Sequence, residues 1–431
     1  LNILDIKSAK GCTLELSNGT KILDFTSGIG VLALGHNNKK IIDVERKFQD
    51  LNIIDTQKFG PNKLQAALAY NLSQLLPEDL EISFFAVSGA ESVEAAIKLS
   101  TMAKRGDAKY FISATGGYHG KTLGALSVTD SENFSEGFHL GIPEENTIKI
   151  EYNNIQAYEE VIIKLSKEKI IAIIIEPIQG QIVEVAKKNY LKEICEISRK
   201  NNIAVIFDEI KCGLGRSGNL FSFLDHDCVP DIVTTSKALG GGKNAISAMI
   251  ASKRLFNKAY GSINKSTIHT TTFFGLGEAC ATAIETLNIV SDESFLQTVK
   301  TKSEKTFKEL NKLKSKYPKY IKSIKGKGLF IGIEFDFDNI ISNIAFKKIR
   351  IPFIKNIKTV LMGAIIREYL HEHKILLHFT NAQPETLVFL PPLIISDEEI
   401  NIFIESTKKV LEKGVRDLKK VIILSIKENG P

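Results

Sequence analysis

The chain is short of the features that would place it outside the ordinary globular enzymes. Its five cysteines, Cys12, Cys195, Cys212, Cys228 and Cys280, are odd in number and scattered, with no CxxC pair. That pattern excludes a disulfide framework and a zinc site, and a reducing cytoplasm is the expected home. No apolar run approaches the roughly 18 to 20 residues of a spanning helix, so no membrane segment is expected. No signal peptide is read at the start, which is Leu1 rather than Met, so the natural start is expected to lie further upstream. Charge of one sign is also lacking. Lys plus Arg exceed Asp plus Glu by 56 to 50, and the excess is spread along the chain, which argues against a nucleic-acid surface. There is no internal repeat, no flexible linker and no GxGxxG on a first strand, so a dinucleotide-binding reading is set aside.

What is present is an alternation of strand and helix patterns from about residue 45 onward. Apolar runs at 84–87, 110–114, 170–175, 203–207, 231–235 and 245–251 read as strands. Helical periodicity lies at 91–104, 157–167, 190–200 and 277–290. This predicts an α/β domain with a mostly parallel sheet whose functional loops leave the strand ends along one edge. Residues 1–44 form a small β arm with a hairpin at Asn18-Gly19, 45–300 the large domain, and 301–431 a smaller α+β domain.

The centre of this organisation is 203–242. Two of the apolar runs end on polar residues, Asp208 and Lys237. An acid able to face a ring nitrogen, with an amine able to reach the same ring's aldehyde, fits a pyridoxal phosphate site. The plainer alternative is a strand-ending acid and a surface lysine. Lys243, after the glycine triplet, is a rival amine.

Four further motifs, three after strands and one before a helix, admit two readings each. In SGAES, Ser88 and Glu91 have capping-box spacing, while Gly89 and Ala90 leave backbone N–H groups open for a phosphate; most such boxes only cap. In GGYHGKT, Tyr118 can stack on a cofactor face with His119 beside it, or the two form a structural pair. Glu176 of EPIQG can orient groups around a ring or cap a loop. Thr271 and Thr272 of HTTTFFG can hold a phosphate oxygen, or are simply β-prone. The segment TSGIGVLALGH reads as a glycine-rich loop.

Taken in order, FFAVSGAESVEAAIKLS, GYHGKTLGALSVT, SKALGGG and HTTTFFG resemble the class III aminotransferases over nearly the whole chain, and within that class putrescine aminotransferases most. The resemblance implies the aspartate aminotransferase-like fold (type I among pyridoxal phosphate enzymes) and pyridoxal 5'-phosphate as cofactor. It also implies a homodimer with shared active sites, a small-molecule amine donor and a carbonyl acceptor. On these positions it implies Lys237 as the Schiff-base lysine, Asp208 as partner of the ring nitrogen and Tyr118 stacked on the ring. Ser88, Gly89 and Ala90 would hold the phosphate, joined by Thr272 of the partner subunit. Glu176 would lie near the ring, and 26–31, including Ile29, would line the substrate channel.

Three departures from the family stand out. DEIK places Lys211 where the family usually has a Gln contacting the ring hydroxyl. ETLVFLPPL places Val388 where an Arg commonly clamps a carboxylate, and EPIQGQ places Gln181 where a Glu pairs with that Arg. Losing both charges together avoids stranding one of them. The expected substrate is therefore an omega-amine or polyamine-like donor, carrier-tethered ones included, and 2-oxoglutarate is not expected to bind in the usual pose. Aminomutase or racemase chemistry on the same scaffold, or a non-catalytic cofactor-binding relic, are the alternatives.

Overall fold

The computed structural model describes residues 4–57, 62–77, 79–265, 267–343, 357–380 and 382–413. The chain divides into two compact units, one of 37–180 and 184–297, the other of 1–36, 181–183 and 298–431.

The larger unit is built on a seven-stranded sheet. Its strands, numbered along the chain, are β1 (Leu80–Ala86), β2 (Tyr110–Ala114), β3 (Thr147–Ile150), β4 (Ile170–Ile175), β5 (Ala204–Asp208), β6 (Ile232–Thr235) and β7 (Ser247–Ser252), in the order β1-β7-β6-β5-β4-β2-β3. Pairing is parallel through β3, β2, β4, β5 and β6, whereas β7 runs antiparallel to both β6 and β1. Central strands covered on both faces are apolar throughout: all six residues of β4, IIAIII, are buried. The helix Gly89–Lys104 packs on one face, with Val93, Ala96 and Leu99 among Phe111, Ile174, Ile206, Ile232 and Met249. Each such fully buried large side chain contributes about 1.5–3 kcal/mol.

Element ends move from their expected places where a cap decides them. The helix expected at 157–167 is Ile155–Leu165, because Asn154 accepts the amide of Ala157 at 3.1 Å and Ser166 leaves the helical region at φ 65°. β5 runs one residue further than its apolar run, so Asp208 is its last member.

The smaller unit holds two four-stranded sheets. In the first, Ile6–Lys10, Thr13–Leu16 and Lys21–Asp24 form an antiparallel meander joined in parallel by Ile375–Leu376. Its hairpin turns at Asn18-Gly19, where Gly19 has φ 83° and Asn18 Oδ1 accepts the Thr20 amide. In the second, the order is Ile321–Lys327, Phe330–Phe335, Thr386–Phe389 and His378–Phe379. Phe389 and Phe403 stack at 4.0 Å between ring centroids, and Phe25 meets Phe389 edge-on at 5.2 Å. Among the described residues no helix is long and apolar enough to cross a membrane.

Candidate active site

Five strands of the large sheet deliver side chains to one edge, the carboxyl ends where open α/β sheets collect ligands. β1 leads to Ser88, β2 to Tyr118 and His119, β4 to Glu176, β5 ends on Asp208, and β6 is followed by Lys237.

Ser88 caps the helix Gly89–Lys104, and the capping box is complete, with Glu91 Oε2 accepting the Ser88 amide at 2.7 Å. No hydrogen bond among the described residues occupies the Gly89 or Ala90 amides. Backbone approach here is close on both sides. A Cβ on Gly89 would lie 2.9 Å from Ile210 Cδ1, and one on Gly120, at φ 138°, would lie 2.8 Å from Ala90 Cβ. The result is a helix N-terminus with open donors, bounded by Ile210 on one side and Gly120 on the other.

Asp208 is buried and both its oxygens are engaged: Oδ2 lies 2.8 Å from His119 Nδ1, and Oδ1 accepts the Ile210 amide at 3.0 Å. His119 is itself buried, its backbone N–H donates to Thr129 Oγ1, and its Nε2 has no hydrogen-bond partner among the described residues. Lys237 sits two residues beyond β6 with φ 42°, a left-handed conformation that a lysine adopts only when its surroundings enforce it. Burial lowers its amine below the ordinary lysine value, with the carboxylates of Asp208 and Glu176 pulling the other way.

Glu176 is buried at the end of β4. Its Oε1 accepts the Tyr118 amide at 2.9 Å, its Oε2 accepts the Gly180 amide at 2.7 Å, and burial pushes its carboxyl up to about 7. The half-buried Tyr118 meets Phe134 edge-on, and its hydroxyl is raised by burial and then by Asp208 and Glu176. Lys211 donates to the Gly180 carbonyl at 2.7 Å, and burial takes its amine down to about 7. Lys243, the rival amine, is exposed and donates to Asn37 Oδ1. Thr271 is half-buried and Thr272 exposed, in the turn before the helix Gly277–Val290.

The remaining expected substrate residues belong to the smaller unit. Val388 is fully buried, in register with Gly332 on one side and His378 on the other. Gln181 is half-buried, its carbonyl accepting the Thr380 hydroxyl. Ile29 is exposed, at φ 59°.

Sequence reasoning passed over Glu209 and Arg216. Glu209 is buried beside Asp208, accepts the Phe223 amide at 2.8 Å, and is pushed up to about 7 by burial. Arg216 is 2% exposed, and burial brings its guanidinium down to about 9. The only signal for Glu209 was a charged residue beside an apolar strand, and Arg216, in the glycine-rich turn beyond it, carried none.

Comparison with known proteins fits this geometry. The family model for class-III aminotransferases matches residues 1–411, so the chain belongs to that family, enzymes that transaminate with pyridoxal 5'-phosphate. Solved structures similar to it include the ornithine aminotransferase from Toxoplasma gondii, 26% identical, covering 95% of this chain and 91% of that one, with a TM-score of 0.82. A thermostable (S)-enantioselective omega-transaminase from Thermomicrobium roseum is 25% identical over 96% and 93% of the two chains, TM-score 0.84. An acetylornithine aminotransferase from Elizabethkingia anophelis is 25% identical over 95% and 94%, TM-score 0.76.

The residues present suit the cofactor. The open amides at Gly89 and Ala90 match a phosphate, the buried carboxylate of Asp208 matches a protonated ring nitrogen, and Lys237 offers an amine of lowered basicity.

Proposed function

We propose that the enzyme transaminates a primary amine whose reacting carbon bears no carboxylate, an omega-amine or polyamine-like donor, working as a homodimer in the cytoplasm. The observation that carries this reading is Val388: an apolar, fully buried side chain stands where the family resemblance calls for a carboxylate-binding Arg. Gln181 lacks the matching negative charge, so the pair is absent as a unit. Similarity to an ornithine aminotransferase and an omega-transaminase, and the motif likeness to putrescine aminotransferases, support a donor of this kind.

Pyridoxal phosphate, when bound, supplies an electron sink for the charge left on the substrate carbon as its proton departs. Lys237 would hold it covalently through Nζ and, once freed by the incoming amine, would carry the proton from the substrate carbon to the cofactor, its amine serving first as base and then as acid. Asp208, fixed in place by His119 and the Ile210 amide, would face the ring nitrogen when the cofactor is bound. Ser88, Gly89 and Ala90 would grip the phosphate, with Thr271 or Thr272, the latter from the partner subunit. Tyr118 would cover one face of the ring, and its backbone is held by Glu176.

The test is a half-reaction panel followed by the visible absorbance of the loaded enzyme. Diamines such as putrescine and other omega-amines should discharge the band faster than alpha-amino acids, and 2-oxoglutarate should restore it poorly. Efficient turnover of 2-oxoglutarate, with its carboxylate bound against Val388, would overturn the assignment.

A further inference from the structure

Thr129 is buried behind the loop that carries Tyr118 and His119. Its Oγ1 accepts the His119 amide at 2.9 Å, and its one hydroxyl proton has two carbonyls in reach, Ala125 at 3.0 Å and Gly120 at 3.1 Å. The next residue grips the same loop from its other end: Asp130 Oδ2 accepts the Gly116 amide at 2.7 Å, and the Asp130 amide donates to the Gly117 carbonyl at 2.8 Å. Thr129 is itself anchored to the sheet. Its carbonyl accepts Lys149 Nζ at 3.0 Å, and the same amine donates to Ser113 Oγ at 3.0 Å and to the Ser127 carbonyl at 3.3 Å. Lys149 belongs to β3 and Ser113 to its neighbour β2, so two paired strands fix where Thr129 sits. From Thr129 the contacts run on through His119 to Asp208, whose Oδ2 lies 2.8 Å from His119 Nδ1.

We propose that Thr129 is a positioning residue for transamination: its hydroxyl holds the His119 backbone where the imidazole meets Asp208, and through that contact it aims the acid expected to face the ring nitrogen. The inference rests on Asp208 having that role. Among the described residues the His119 amide has no other acceptor. Without the hydroxyl a buried N–H is left unpaired, which drives the backbone towards a new partner. The imidazole then moves with its own backbone, and Asp208 keeps only the Ile210 amide, at 3.0 Å on its other oxygen. Small displacements of a group facing the reacting atoms change rates strongly.

Thr129→Val keeps the shape and removes the hydroxyl, whereas Thr129→Ser keeps the hydroxyl and removes a methyl. Each is made alone and together with Asp208→Asn, loaded with saturating pyridoxal phosphate, and mixed in stopped flow with putrescine or whichever amine of the half-reaction panel discharges the wild-type band fastest. Thr129→Val should lower the limiting rate at least about 10-fold with the half-saturating amine concentration unchanged, and Thr129→Ser should stay within about 2-fold of the wild type. In the Asp208→Asn background, where the aimed charge is already gone, adding Thr129→Val should slow the reaction by less than about 2-fold. Equal slowing by Thr129→Val in both backgrounds, no slowing in either, or a Thr129→Ser variant as slow as Thr129→Val would reject the role of the Thr129 hydroxyl and leave that of Asp208 standing. A wild-type rate in Asp208→Asn alone would instead reject the reading of Asp208 beneath it. If Thr129→Val does not fold, Thr129→Ala against Thr129→Ser makes the same comparison.

Discussion

His119 and Asp208 form a buried pair, Nδ1 to Oδ2 at 2.8 Å, although 89 residues separate them in the chain. The imidazole orients the carboxylate, and the carboxylate fixes the proton on Nδ1. Asp208→Asn keeps the shape and removes the charge, so it should fold and lose at least about 100-fold in the rate of the amine half-reaction. His119→Ala strands a buried carboxylate and should cost about 3 kcal/mol in unfolding free energy. Denaturant melts and stopped-flow absorbance measure the two. Equal half-reaction rates for Asp208→Asn and wild type would contradict the role given to this acid.

The helix that opens at Ser88 depends on its cap. Ser88→Ala should lower stability by about 1 kcal/mol, and the same variant should bind pyridoxal phosphate less tightly because the first-turn amides are less well ordered. Chemical denaturation and cofactor titration check both effects.

Gly120 has φ 138° and no room for a side chain, its Cβ position lying 2.8 Å from Ala90 Cβ and 2.9 Å from Ala125 Cβ. Gly120→Ala should therefore destabilise by about 1–3 kcal/mol and weaken cofactor binding by displacing Ala90. A variant that loads the cofactor with wild-type affinity would show that the wall around this helix end is not needed.

Much of this site was legible because most of its motifs follow an apolar run that reads as a buried strand, HTTTFFG before the helix Gly277–Val290 being the exception. Asp208 and Lys237 stood out at the ends of two such runs, the Ser88-to-Glu91 spacing announced its capping box, and Asn18-Gly19 announced its hairpin. Contacts made only when the sheet closes were not legible. His119 meets Asp208 across the end of β4, which lies between β2 and β5, Lys211 reaches Gly180 across 31 residues, and Asp130 accepts the Gly116 amide at 2.7 Å. The antiparallel run of β7 also left no mark, since its residues SAMIAS are as buried as those of a parallel strand.

Glu209 gives a pH signature distinct from catalysis. Burial raises its carboxyl to about 7, so the folded state holds this proton more firmly than the unfolded state does. The stabilisation is complete below the ordinary carboxylate value of about 4.3 and is lost as pH rises towards 7. Glu176, raised to about 7 as well, acts in the same direction. Glu209→Gln keeps an oxygen for the Phe223 amide and removes the titration. Unfolding free energies at pH 5 and pH 8 should differ less in this variant than in the wild type.

The most direct test of the whole account is the visible spectrum of the purified protein given pyridoxal phosphate, wild type beside Lys237→Ala. The wild type should turn yellow with an absorbance band that borohydride fixes to a peptide containing Lys237, and the variant should hold no such covalent band. A colourless wild type, or a variant that keeps the bond, would contradict it.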